Sequence, residues 1–350
     1  MKTPPVFDGH NDVLSRLYKR GTSGGIRGFL TGDDGHIDVP KSRLGGFAGG
    51  FFAVFVPSRG EFSGYLERMQ APEYDLPLPP EVPLAEAQKI AWKQVETLRQ
   101  LEKDGGLTIC TDTDAILHCI SSGEIAAVLH MEGAEAIDPG FETLDRLYEA
   151  GLRSLGPVWS RPTPYGDGVP FRFPSNPDIG GGLTDIGKSL VRKCNRMGIL
   201  VDTSHISETG FWDIAAITDA PIVATHSNVH AICPHSRNLT DKQLAAIAET
   251  GGVVGLNFAT ALLREDGRMV DDVPVSMMVR HLEHMVRIVG EDGVALGSDF
   301  DGATVPKPIG DASGLGALRQ AMTDAGFGTK LIEKICYKNW VGVLKRTWRQ

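Results

Sequence analysis

At 350 residues with 41% hydrophobic side chains the chain can bury a large core, and one domain spanning residues 1–350 accounts for that length. A formal net charge of −9, with no stripe of Lys or Arg along which phosphates could lie, excludes a nucleic-acid partner and favours a soluble enzyme acting on a small molecule. Five dispersed cysteines without a Cys-x-x-Cys pair exclude a disulfide framework and read as reduced thiols.

Met1-Lys2-Thr3-Pro4-Pro5 lacks the apolar core of a signal peptide, and Lys345 to Gln350 carries no hydrophobic tail. No run is long and apolar enough to span a membrane, so the expectation is a cytoplasmic protein with no membrane anchor. A first strand then leads from Val6-Phe7 into Gly9 and His10-Asn11-Asp12. Residues two apart on a strand share a face, which would set His10 beside Asp12 as a metal-ligand pair. Residues 14–44 are too broken by Gly for one helix and read as a long loop, of the kind that often contributes to a site.

The apolar run 49–57, stopped by Pro57, is a second strand, and the Pro-rich acidic segment 67–83 reads as a surface excursion. Helical spacing of Ile90, Ala91, Val95, Leu98 and Leu101 predicts a helix over 84–103, with a short one over 111–122. Strand three, 125–129, runs on to Glu132; a helix over 141–150 precedes strand four, 152–158, which enters Trp159-Ser160-Arg161. The Gly- and Pro-rich stretch 164–182 must be loop. Thr184 caps a predicted helix over 184–197 that Gly198 ends, and strand five then leads through Asp202-Thr203-Ser204 to His205. A helix over 208–217 precedes strand six, which ends at His226, and the loop 229–238 holds His230, His235 and Arg237. Thr240 and Gln243 form a capping-box pair at the start of the helix over 240–250. Strand seven is 252–257, the next helix 275–289, and strand eight, 293–297, runs into Ser298-Asp299-Phe300-Asp301-Gly302. Eight apolar strands alternating with helices predict an α/β fold, a (β/α)8 TIM barrel with long βα loops and its chemistry at the C-terminal strand ends.

His10, Asp12, Glu132, His205 and His226 form a mixed N/O ligand set without thiolates, suited to zinc or another first-row divalent ion. With Glu132 bridging, such a set can serve two metals, which would activate a shared water and polarise a scissile carbonyl; amide or ester hydrolysis is the natural reaction. Asp299, at the end of the last strand, can accept a proton from the attacking water and return it to the leaving group. His130 reads as a core residue or a neighbour that steadies a ligand, His230 and His235 as solvated loop residues, His281 and His284 as structural. For Asp301 a turn with Gly302 is the simpler reading.

Asp8-Gly9-His10-Asn11-Asp12, Glu132-Gly133, Asp202-Thr203-Ser204-His205, Thr225-His226-Ser227, Ser236-Arg237-Asn238-Leu239 and Gly297-Ser298-Asp299-Phe300-Asp301-Gly302 occur in this order along nearly the whole chain. In them the sequence resembles the renal (membrane) dipeptidase family of zinc peptidases, which are amidohydrolase-like barrels. The resemblance implies a dipeptidase binding two Zn2+, with His10 and Asp12 on one, His205 and His226 on the other and Glu132 bridging. It further implies that Arg237 binds the dipeptide's C-terminal carboxylate, a role its planar fork suits, and that a D-residue is tolerated there. One departure stands out: Trp159 occupies the place of a His thought to polarise the scissile carbonyl in better-known members. Carbonyl activation then rests on the metals or another donor, for which Arg161 and Tyr165 are nearby candidates of a type more often structural, and Trp159 becomes a substrate contact. The competing readings are a binuclear amidohydrolase acting on N-acyl amino acids, cyclic amides or lactones, and a metal-binding barrel without catalysis. The expected partner is a small dipeptide and the expected assembly a homodimer.

Overall fold

The eight predicted strands are all present in the computed structural model, which describes residues 3–58 and 64–349; Met1, Lys2 and Gln350 of the terminal stretches read above lie outside them. They are β1 (Val6–Asn11), β2 (Phe47–Phe55), β3 (Ala126–Glu132), β4 (Leu152–Gly156), β5 (Leu200–Val201), β6 (Val223–Ala224), β7 (Val253–Asn257) and β8 (Val294–Gly297). β1 to β5 pair in parallel, as do β6 to β8. The two arcs meet through the parallel bridges Asp202↔Val223 and Asn11↔Phe300, which close the (β/α)8 barrel.

Alternation along the strands sorts the core into two layers. Phe7, Phe51, Val128, Leu200, Val223, Val253 and Ala295 point into the barrel, whereas Val6, Phe52, Ala127, Val201, Ala224, Val254 and Leu296 pack outward under the helices. Strands buried on both faces must read as continuous apolar runs, which is why the sequence signals them so clearly. The base of the barrel is filled by Trp340, from the helix Asn339–Thr347. Its indole donates to the Leu296 carbonyl at 2.8 Å, and its ring lies where a Cβ on Gly9 would sit, 2.4 Å away.

The helices Leu84–Lys103, Asp185–Met197, Glu208–Ile217, Asp241–Glu249 and Val275–Val289 match their predicted spans, and the Thr240/Gln243 capping box is formed. Residues 14–44 are not a loop: they form the helices Val13–Arg20, Thr22–Thr31 and Val39–Gly45, with Gly21 and Gly32 at the joints. The glycines divide the helical segment rather than abolishing it, because Val13, Leu14 and Leu17 bury one face of its first part. The 67–83 excursion is also more than surface: Tyr74–Asp75 pairs antiparallel with Arg172–Phe173, and Tyr74 and Leu76 are buried over the barrel mouth. All five cysteines are buried and free. Among the described residues no helix is long and apolar enough to cross a membrane.

Candidate metal centre and active site

Four strand ends converge on one carboxylate oxygen. Oε1 of Glu132, at the end of β3, lies 3.0 Å from His205 Nε2, 3.4 Å from His226 Nε2 and 3.7 Å from His10 Nε2. Asp12 approaches from the other side, its Oδ2 3.4 Å from His10 Nε2. Asp12 reaches this place differently from the expectation of a shared strand face. The β1 register breaks between Asp8 and Asn11, and Asp12 is the cap of the helix Val13–Arg20, so a helix start rather than strand alternation aims its carboxylate.

A metal is tested by what these side chains do without one. His10 is fully buried, yet neither of its ring nitrogens has a hydrogen-bond partner among the described residues. Buried polar atoms are nearly always satisfied, so an imidazole orphaned on both sides fits a ligand far better than a core residue. His10, Glu132 and His226 form one group whose donor atoms lie within 4.8 Å of one another, and His10, Asp12 and Asp299 form another. Burial pulls the His10 imidazole down, but Glu132, Asp12 and Asp299 together overcome it and push it up to about 10. His205 and His226 go the other way, held well below the usual imidazole range by burial and by the charges of Arg237 and His10.

The surrounding shell fixes the ring orientations. The Asp202 carboxylate accepts from Ser204 N and Oγ and from Thr225 N and Oγ1 at 2.6–3.1 Å, and Thr225 Oγ1 lies 2.8 Å from His226 Nδ1. Ser160 Oγ meets His205 Nδ1 at 3.0 Å. Asp8, buried within β1, accepts from Ser298 N and Oγ at 2.6 and 2.7 Å and ties β1 to the residue that follows β8. His130 stacks edge-on beneath His10, with Ser154 Oγ 2.9 Å from its Nδ1. Asp8, Asp202, Ser204 and Thr225 stood inside the quoted motifs, but nothing in their spacing announced these contacts.

Asp299 sits at φ +58°, where its backbone N–H donates to the His10 carbonyl and Asn257 Nδ2 donates to its Oδ2, both at 3.0 Å. Burial, reinforced by the charge of Asp12, lifts its carboxyl above the ordinary range. Arg237 is buried, and its guanidinium donates to the Ser204 carbonyl and, at 3.2 Å, to that of His226, leaving Nε without a partner among the described residues. Both residues line a cavity of about 420 Å³ together with Asp12, Glu132 and His205. Trp159 lines it too, its ring 5.9 Å from that of His205, inside an aromatic wall with Phe55, Tyr65 and Phe171.

The other candidates, Asp301 excepted, fall outside the cavity. Arg161 pairs with Glu135 at 2.8 Å, and the Tyr165 hydroxyl donates to the Ile137 carbonyl. His281 is buried between Val229 N and the Leu263 carbonyl, and His284 pairs with Asp241. His235 is fully buried rather than solvated, accepting the Arg237 backbone N–H at 3.0 Å. Asp301 is not merely a turn residue, since its side chain is tied to Arg16 and to the backbone of His36.

The profile of the membrane dipeptidases (peptidase family M19) matches residues 1–349. The chain belongs to the membrane dipeptidase family. A family member from Rhodobacter sphaeroides, a metallo peptidase solved with a phosphinate mimic of the dipeptide L-Ala-D-Ala, is 49% identical, with a TM-score of 0.96 over 99% of this chain and 100% of that one. A second solved member, a metallo peptidase called dipeptidase AC, is 48% identical, with a TM-score of 0.97 and 100% of both chains covered. A protein from the pqqA 5' region of Klebsiella pneumoniae is 44% identical over 75% of this chain and 97% of its own length. Membership makes the chain a metallo-dipeptidase and makes the cluster around Glu132 the place to look for its metal.

Proposed function

We propose that the protein hydrolyses dipeptides with two zinc ions, His10 and Asp12 holding one, His205 and His226 the other, and Glu132 both. The observation that carries this is the placement of Glu132 Oε1 within 3.0–3.7 Å of three imidazole nitrogens. Bound there, a pair of divalent ions supplies an acidified water and a polarised carbonyl. The side chains do the rest. Asp299, lifted by burial and held by Asn257, takes the proton of the attacking water and delivers it to the leaving amine. Arg237, fixed by two backbone carbonyls, offers its charge to the substrate's free carboxylate. Trp159 packs against one substrate side chain and keeps water from that wall.

A dipeptide ending in a D-residue is a substrate in this proposal, supported by the L-Ala-D-Ala mimic carried by the Rhodobacter sphaeroides relative. The zinc-loaded protein should turn over L,L and L,D dipeptides and leave their C-terminal amides nearly untouched. Arg237→Ala should cost about 2–5 kcal/mol in kcat/KM with metal content unchanged. Equal cleavage of free and amidated dipeptides would remove Arg237 from its role, and preference for N-acyl amino acids, cyclic amides or lactones would replace the substrate class. The proposal further takes residues 1–350 as one catalytic domain in the cytoplasm, where its five buried free thiols stay reduced. A homodimer is its assembly, to be tested by sedimentation.

A further inference from the structure

We propose that His36 and Arg16 are positioning residues for the reaction: they hold Asp301, and through it the turn that presents Asp299 to the cavity. This rests on the reading of Asp299 as the proton carrier. Asp299 and Asp301 both adopt left-handed backbone, with φ of +58° and +68° and one residue between them. Asp tolerates that region more readily than most residues, and here both aspartates are also held in it by contacts from elsewhere in the chain.

Asp301 is gripped from two sides by residues far away in sequence. Its backbone N–H donates to His36 Nδ1 at 2.9 Å, and its Oδ1 accepts the His36 backbone N–H at 2.7 Å, a reciprocal pair joining positions 265 apart. Its Oδ2 lies 3.0 Å from Arg16 Nε, an ion pair without hydrogen-bond geometry. Arg16 is itself anchored, donating to the Ile37 carbonyl at 2.7 Å and pairing with Asp33. The His36 ring packs edge-on against Phe300, 5.5 Å between centroids, so the residue between the two aspartates is held as well.

The turn has little room to move. A Cβ on Gly302 would lie 2.2 Å from Asp12 Oδ2 and 2.4 Å from Asp299 Oδ1, so the Gly302 backbone is in direct contact with both carboxylates. Residues 301–304 form a wall shared by the substrate cavity and a second, outer cavity that His36, Arg16 and Arg20 line. A turn released from His36 can swing toward that outer space and take Asp299 with it. Misplacing a reacting group by about 1 Å can cost 10²-fold in rate.

The test replaces His36 by Phe, which keeps the ring against Phe300 and removes the acceptor, and by Asn, which restores an acceptor. His36→Phe should lower kcat by about 10–10²-fold with KM, metal content and Tm near those of the parent, and His36→Asn should recover most of the loss. Combined with Asp299→Asn, His36→Phe should cost nothing further, because both act through one group. Parental kcat in His36→Phe, or a loss that adds fully to that of Asp299→Asn, would overturn the proposal. If Asp299→Asn abolishes turnover while His36→Phe is parental, the positioning role falls and the proton carrier stands. If Asp299→Asn is itself active, the reading of Asp299 fails, and the positioning role fails with it. Should His36→Phe not fold, Arg16→Lys, which keeps the charge and loses the Nε contact, must show the same fall in kcat at constant KM for the proposal to hold.

Discussion

On the β5–β6 side of the site, His205 and His226 sit in a turn and a bend just past β5 and β6, with Thr225 beside the ring of His226, Ser160 beside that of His205, and Asp202 collecting Ser204 and Thr225. On the β1–β8 side, His10, Asp12 and Asp299 sit on an irregular strand, a helix start and a left-handed turn, braced by contacts that span most of the chain. The two sides also differ in protonation. Without metal, the carboxylates around His10 keep it charged, whereas burial and neighbouring positive charge keep His205 and His226 neutral. In the proposed centre one side is therefore a ready-made pair of neutral ligands, braced from nearer in the chain. The other must lose a proton and depends on distant residues to hold its shape.

Removing the group common to both sides should have the largest effect. Glu132→Gln should bring turnover to background and lower the content of both metals together; retention of one tightly bound ion, by elemental analysis, would show that the sides do not share it. Asp299→Asn touches only the β1–β8 side and should lower kcat by about 10²–10⁴-fold while both metals stay. Parallel loss of metal would make Asp299 a ligand. Gly302→Ala pushes a methyl group against Asp12 and Asp299, and about a 10²-fold fall in kcat is expected with the fold intact by circular dichroism. A parental rate would mean that the braced side is softer than its contacts suggest.

Acid should separate the sides next. His10 holds its proton up to about 10, so zinc entering the His10 side displaces a proton throughout the neutral range, and its affinity falls about tenfold for each unit of pH lost. His205 and His226 are already neutral there and contribute no such slope. Zinc titrations against a chelator between roughly pH 6 and pH 8 should resolve one pH-dependent and one flatter binding step, and two equal slopes would erase the distinction. The smallest change is expected from Thr225→Ser, which keeps the hydroxyl that serves Asp202 and His226; kcat/KM should stay within about twofold, a few tenths of a kcal/mol.

The same contrast explains what could be read before the structure. Strands buried on two faces leave unbroken apolar runs, and Asp202-Thr203-Ser204-His205 closes such a run with a candidate ligand. Contacts between residues 265 to 290 positions apart leave no periodic trace, which is why His36, Arg16 and the Asp8–Ser298 stitch were silent in the sequence. Residues 14–44 misled because their glycines lie at helix joints, and His235 because a loop that folds over a barrel mouth is buried like a core. Asp12 was placed beside His10 for the wrong reason, since a helix start put it there. The segment after Gly302 offered no strand end to read, and its helices and Trp340 went unassigned.

Trp340 sets an order of events on the ribosome. Strands β1 to β8 are all made before it, yet the barrel's base under Gly9 is filled by this indole, a contact of the kind worth about 3–5 kcal/mol when truncated. At about 5–20 residues per second, the chain between β8 and Trp340 takes several seconds to appear. During that interval the residues of the proposed metal centre are all synthesised while the floor of the barrel is still open.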